Sequence, residues 1–139
     1  MLKPLEQANI VKLNDEELSV LADLLDLQGD SAPDHAEHLL EHAGLEYCVV
    51  TLADKGAFAL SRRGEKIYRP GYHVNLVDPC GSGDGFAAGF IHALLIGESL
   101  KQACRLGNAF GAIVAQQEGA TQQARLPCLR IWLHVDRRP

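Results

Sequence analysis

Between Val77 and Gly97 the chain reads VDPCGSGDGFAAGFIHALLIG, and here the residue types able to do chemistry stand closest together. Gly81 and Gly83 flank Ser82, and Asp84 follows where a helical pattern begins that runs to Gly97. An apolar entry, Asn75-Leu76-Val77, precedes the turn, so the order is strand, glycine turn, helix. That order aims backbone N–H groups at an anion. Asp84 in the first turn has two readings. Its carboxylate offsets the positive end of the helix dipole, or it stands beside a bound phosphate and takes a proton from an attacking hydroxyl. The turn alone does not decide, because short Gly-x-Gly turns are common. Cys80 adjoins the turn and could be a partly exposed thiol, but no histidine stands next to it to activate it. Cys48, Cys104 and Cys128 read as buried thiols, and no Cys-x-x-Cys pair offers zinc or redox chemistry.

The elements that must position this stretch fit one domain of ordinary size: 139 residues, 47% hydrophobic and 22% charged. A formal net charge of -5 speaks against a nucleic-acid surface. No leader of basic plus apolar residues is visible and no apolar helix is long enough for a bilayer, so no membrane partner is expected and cytoplasm is the default location.

Ala8 to Leu13 reads as a strand. Asn14 with Glu17 three residues later forms a capping box for a helix carrying Leu18, Leu21, Leu24 and Leu25 on one side. Pro33 marks the start of a second helix over Asp34 to Ala43, with Gly44 as its C-cap. His35, His38 and His42 share one face of it, which reads as a solvated face opposite Leu39, Leu40 and Ala43. Tyr47 to Leu52 is a β-branched run, expected to be a central, parallel strand. Ala57 to Leu60 and Lys66 to Arg69 read as a hairpin at a sheet edge. The helix after the glycine turn is apolar on nearly all sides, so it is expected to be buried, its small residues in close contact with a sheet. Ser99 and Gln102 form a further capping box, launching a helix from Leu100 to Glu118. From Thr121 the texture changes, and RIWLHVDRRP reads as a weakly alternating, basic tail. The pattern β-α-α-β-β-β-β-α-α argues an α/β layered domain.

These residues carry a resemblance. Asp78-Pro79-Cys80-Gly81-Ser82-Gly83-Asp84-Gly85-Phe86 resembles the second signature of the ribokinase-like (PfkB) carbohydrate kinases, Asp-Thr-x-Gly-Ala-Gly-Asp-x-Phe. Lys12-Leu13-Asn14-Asp15-Glu16-Glu17 is similar to the family's Lys-Pro-Asn-x-x-Glu stretch, and Thr51-Leu52-Ala53-Asp54-Lys55-Gly56 to its Thr-x-Gly-x-x-Gly turn. Asn108 lies where the following helix borders the nucleotide in that family. The landmarks fall in the family's order, over about residues 4 to 126.

The resemblance implies a partial three-layer α-β-α ribokinase-like (Rossmann-like) fold, with a mostly parallel sheet and an edge hairpin. It implies transfer of the γ-phosphoryl of ATP to a hydroxyl of a sugar or sugar-like alcohol. Asp84 would deprotonate that hydroxyl, and the N–H groups of Gly81, Ser82 and Gly83 would form the anion hole. Glu17 with Asn14 would organise the water shell of Mg²⁺. Thr51 and Gly56 would border the ribose and phosphates, Asn108 would lie near the adenine, and Asp78 would belong to a loop holding a monovalent cation such as K⁺.

The departures are specific. Pro79 stands where the family has threonine, which removes a hydroxyl and an N–H from the cation loop. Ala53 replaces a glycine, tolerable only with φ below zero. Leu13 replaces a proline. The resemblance begins at the family's midpoint, and Met1 to Leu5 reads like the interior of a preceding helix. Residues 1–126 are therefore expected to be the C-terminal, nucleotide-side half of a kinase domain, with 127–139 an atypical tail. The expected partners are a sugar or related alcohol and either a second copy of the chain or the N-terminal half that supplies most sugar contacts. The alternative is a catalytically inactive fragment that binds nucleotide or pairs with a partner chain.

Overall fold

Short apolar runs in three strands give this chain its first layer. The computed structural model describes residues 8–116. In chain order these form strand β1 (Ile10–Asn14), helices α1 (Asp15–Leu25) and α2 (Ala32–His42), strand β2 (Tyr47–Thr51), a single 3-10 turn (Ala53–Lys55), strands β3 (Ala57–Ser61) and β4 (Lys66–Arg69), and helices α3 (Ser82–Leu95) and α4 (Leu100–Ala115). They divide into two compact units. Among the described residues, one comprises 8–53 with Ala57–Tyr68, the other Asp54–Gly56 with 69–116.

In the first unit the sheet order is β1-β2-β3-β4. The pairing of β1 with β2 places Val11 beside Cys48 and Leu13 beside Val50, and that of β2 with β3 places Cys48 beside Leu60 and Val50 beside Phe58. Because side chains alternate between faces, these six residues share one face. They join Leu18 and Ala22 of α1 and Ala36, Leu39 and Leu40 of α2 in one core. Both helices start on side-chain caps. Asn14 and Glu17 form the anticipated box, and Ser31 with Asp34 forms a second, which moves the start of α2 ahead of Pro33. The Ser31 hydroxyl, the Asp30 N–H and the Ser31 N–H hold the Asp34 carboxyl below its usual pKa.

The sheet is mostly antiparallel, which corrects the expectation of a mostly parallel one. β1 and β2 run parallel, whereas β2 and β3 run antiparallel. β3 and β4 are bonded neighbours joined by four residues, too few for a parallel crossover. The β2 run is central as expected, but parallel to one neighbour alone. The strand expected at Asn75–Val77 does not form. Leu76 and Val77 are exposed, and the Val77 N–H donates to the Ala115 carbonyl (2.9 Å) instead of to a strand. Loss of that strand takes away a parallel pairing on which the expectation rested.

The second unit is built on a hairpin of α3 and α4. The small residues of α3 meet α4, not a sheet. A methyl on Gly89 would lie 2.7 Å from the Leu106 carbonyl oxygen, and one on Gly85 3.1 Å from that of Phe110. Gly107 returns the contact under the Phe86 ring. Nor is α3 buried throughout, since Ile91 and Leu95 are exposed. Ser99 caps α4 through the Gln102 N–H, but the Gln102 side chain accepts from Arg105 rather than closing the box. No helix among the described residues is long and apolar enough to cross a membrane. The tail expected over 127–139, the reading of Met1 to Leu5, and Cys128 lie outside the described residues.

Candidate active site

The glycine turn of the second unit is shaped by local bonds. Gly81 is the N-cap of α3 with φ of 81°, a left-handed conformation that a side chain would strain. Its carbonyl accepts the first helical bond, from the Gly85 N–H (2.9 Å). The Ser82 N–H donates to the Pro79 carbonyl (3.1 Å), and the Asp78 carboxylate accepts from the Cys80 N–H (2.9 Å). No side chain caps α3. The N–H groups of Gly83 and Asp84, in the first turn, therefore point out of the helix start without a capping acceptor, as helix geometry requires of its first residues. Asp84 is exposed on that same turn. Negative charge brought there meets two N–H donors and the positive end of the helix dipole.

Helix α4 adds contacts at both ends of this turn. The Ala115 carbonyl at the end of α4 accepts from both Val77 N–H (2.9 Å) and Asp78 N–H (3.0 Å), which sets the chain entering the turn. Gly111 seats the other side, since a methyl there would lie 2.9 Å from the Ser82 carbonyl oxygen. Farther back on α4, Asn108 is buried and its amide donates to the carbonyls of Arg69 (3.3 Å) and Pro70 (3.2 Å). That segment packs on the Gly56 turn, where a methyl on Gly56, with φ of 103°, would collide with the Arg69 carbonyl. The Ala115 carbonyl and the 69–71 segment are absent from the motifs visible in the sequence. The Gly-x-x-x-Gly spacing of Gly85 with Gly89 and of Gly107 with Gly111 signals the close approach of α3 and α4, but no residue type marks those two tethers.

In the first unit, Asn14 and Thr51 are register partners at the carboxyl ends of the parallel strands β1 and β2. Ligands of α/β sheets commonly bind at such strand ends. Thr51 leans its hydroxyl toward the Leu13 carbonyl (3.4 Å). Asn14 and Glu17 are engaged with each other: the Glu17 N–H donates to Asn14 Oδ1 (2.7 Å) and the Asn14 N–H to Glu17 Oε2 (2.8 Å). Ala53 adopts φ of 53°, so the condition set for replacing the family's glycine is not met and the alanine sits in a strained conformation.

The remaining polar clusters are structural. Burial pushes the Cys48 and Cys104 thiols up to about 12, which leaves them protonated and inert, while Cys80 is exposed. The histidine face of α2 is not simply solvated. His38 Nδ1 accepts from the Gln28 N–H (2.8 Å) and His35 Nε2 pairs with the Gly29 carbonyl (2.9 Å), so both staple the preceding turn. No group of three or more His, Cys, Asp or Glu side chains able to hold a metal occurs among the described residues.

Comparison with known proteins decides the family. The model of the pfkB family of carbohydrate kinases matches residues 1–126. The chain belongs to the pfkB family. Among family relatives it is 31% identical over 119 residues to the ribokinase of Haemophilus influenzae, an overlap covering 86% of this chain and 38% of the relative. It is 34% identical over 121 residues to a probable fructokinase-5 of Arabidopsis thaliana, covering 82% and 36%. Of solved structures, a ribokinase from Thermotoga maritima superposes with a TM-score of 0.83 at 26% identity, over 94% of this chain and 43% of that one. A putative ribokinase II from E. coli in complex with ATP and Mg²⁺ gives 0.81 at 25%, over 96% and 41%. The fold is thus an α/β, Rossmann-like part of a ribokinase fold, and the chain spans about two fifths of the length of the pfkB relatives it matches.

Proposed function

We propose that this chain is the C-terminal, nucleotide-side half of a pfkB-family kinase domain and transfers the γ-phosphoryl of ATP to a hydroxyl of a sugar or sugar-like alcohol. The observation that carries this reading is the uncapped start of α3, with the Gly83 and Asp84 N–H groups and the exposed Asp84 carboxylate on one turn. A hydroxyl is a weak nucleophile at neutral pH. Asp84 takes its proton as the oxygen attacks the γ-phosphorus, and the bond from that phosphorus to the bridging oxygen of ADP breaks. Charge developing on the phosphoryl oxygens is met by the first-turn N–H groups, which are already oriented and need no reorganisation. Gly81 makes the turn possible, and Ser82 is fixed through its backbone by Pro79 and Gly111.

The residues present fit Mg-ATP. A triphosphate suits the helix start, which lacks a side-chain cap that would compete with it. Mg²⁺ keeps several waters and needs few protein oxygens. Glu17 and Asn14 would order its hydration, since Glu17 gives one carboxylate oxygen to the cap and keeps the other. When bound, Mg²⁺ neutralises phosphate charge. Thr51 and Gly56 border ribose and phosphates in this reading, and Asp78 lines the loop for a monovalent cation. A second reading is a nucleotide-binding chain that needs a partner chain to phosphorylate anything.

Asp84→Asn tests the assignment, assayed as phosphoryl transfer from Mg-ATP across a panel of sugars and nucleosides. The expected result is a fall in kcat of about 10²–10⁴-fold with ATP affinity retained. Unchanged turnover would sink the base assignment. Nucleotide binding without turnover in the unmodified chain would establish the second reading instead.

A further inference from the structure

We infer that Asn108 is a positioning residue for the Gly56 turn, not a donor to the nucleotide. An amide side chain carries two N–H donors, and Asn108 directs its nitrogen at two consecutive carbonyls, those of Arg69 (3.3 Å) and Pro70 (3.2 Å). Two carbonyl oxygens can be satisfied only by the NH₂ end, which fixes the orientation of the amide. Asn108 is also 8% exposed, so losing either bond would leave a buried polar group unmet. Its donors are committed within the protein.

What Asn108 holds in place is a backbone pair with no slack. Arg69 O, Gly71 N and the Pro70 carbonyl carbon crowd the α-carbon of Gly56, and a methyl on Gly56 would lie 2.6 Å from Gly71 N. The crowding is mutual, for a methyl on Gly71 would collide with the Asp54 carbonyl and lie 3.1 Å from Gly56 N. Segments 54–56 and 69–71 thus touch backbone to backbone, with two glycines removing the side chains that would part them. An anchor from outside the two segments helps to hold such a contact in place. Asn108 supplies the anchor from α4, the same helix whose Ala115 carbonyl and Gly111 set the Asp78 loop and the α3 start. The role rests on the reading that Gly56 borders the nucleotide. Through this tether the Gly56 turn and the anion turn keep one common reference.

Two readouts on the full chain separate this inference from that reading. Trypsin cleavage after Lys55, beside Gly56, reports the tether without any nucleotide, with cleavage after Arg63 at the hairpin tip as the internal control. Titration with Mg-ATP reports the consequence. In Asn108→Ala the cleavage after Lys55 should rise at least about fivefold relative to that after Arg63, and the Kd for Mg-ATP should rise about tenfold. Asn108→Asp, which keeps the shape and loses both donors, is the second variant should the alanine not fold, and should show the same pair of changes. Gly71→Ala, acting from the other side of the contact, should reproduce them and add little when combined with Asn108→Ala. A Lys55 site unchanged in the Asn108 variants overturns the tether. A weakened Kd with an unchanged Lys55 site does so too, and points to direct contact. A loosened Lys55 site with unaltered Mg-ATP affinity overturns the positioning role. If the unmodified chain binds no Mg-ATP, the functional reading fails, while the cleavage ratio still decides the tether.

Discussion

Each of the two units of this chain is held together internally, and by a different kind of contact. In the sheet unit, apolar side chains meet apolar side chains: Leu18, Leu39 and Leu40 fill the face presented by Val11, Leu13, Cys48, Val50, Phe58 and Leu60. In the unit with the glycine turn, a smaller apolar cluster around Ala109 and Ile113 is joined by close main-chain contacts. Gly85 and Gly89 bring α3 against carbonyls of α4, Gly111 lies under the Ser82 carbonyl, the Ala115 carbonyl holds the Asp78 loop, and the Asn108 side-chain amide donates to the Arg69 and Pro70 carbonyls. A side-chain core tolerates repacking, because rotamers adjust. Backbone contacts do not adjust. The close main-chain contacts thus lie around the α3 start, where the proposed phosphoryl transfer would use fixed N–H donors.

Substitutions that change volume should break the symmetry between the units. The largest expected effect is Leu39→Ala, which leaves a cavity under the sheet and costs about 2–5 kcal/mol in denaturant unfolding. Leu39 has no exposed surface, so a loss below 1 kcal/mol would deny the core its stated place. Gly89→Ala should act in the opposite sense of volume and still destabilise, by a net of about 1–2 kcal/mol, because overpacking against a carbonyl outweighs the helix propensity that alanine gains. Stabilisation by this change would refute the close approach of α3 and α4. The smallest effect should be a gain. Ala53→Gly relieves a left-handed alanine and should raise stability by about 0.5–1 kcal/mol after the entropy of the added glycine is counted. A loss of stability there would show that the φ of 53° carries no strain.

The same difference decides how much could be read in advance. Hydrophobic alternation and capping boxes write the sheet unit into the sequence, so β1, β2, the β3–β4 hairpin, α1 and the Asn14–Glu17 cap are legible there. Strand direction is not, because periodicity records which face a residue occupies and says nothing of the neighbouring strand's polarity. Asn75–Val77 reads as a strand for a related reason. Leu76 and Val77 are apolar, yet the Val77 N–H goes to a helix-end carbonyl. In the other unit the glycine turn and Asp84 are visible as a pattern, while the tethers are not. A carbonyl that accepts a bond belongs to any residue type, so nothing at Ala115, Arg69 or Pro70 announces its role. Ser31 was likewise hidden by Pro33, which marks the first turn of α2 but not its cap.

The claim at the centre is that the start of α3 receives the phosphates of ATP. Its direct test is a titration of the ¹⁵N-labelled chain with Mg-ATP, following the backbone amides. The account predicts saturable shifts at Gly83 and Asp84, abolished in Gly83→Val while the amides of the sheet core stay in place. Mg-ATP binding that leaves Gly83 and Asp84 unmoved, or that survives Gly83→Val with unchanged affinity, would contradict it.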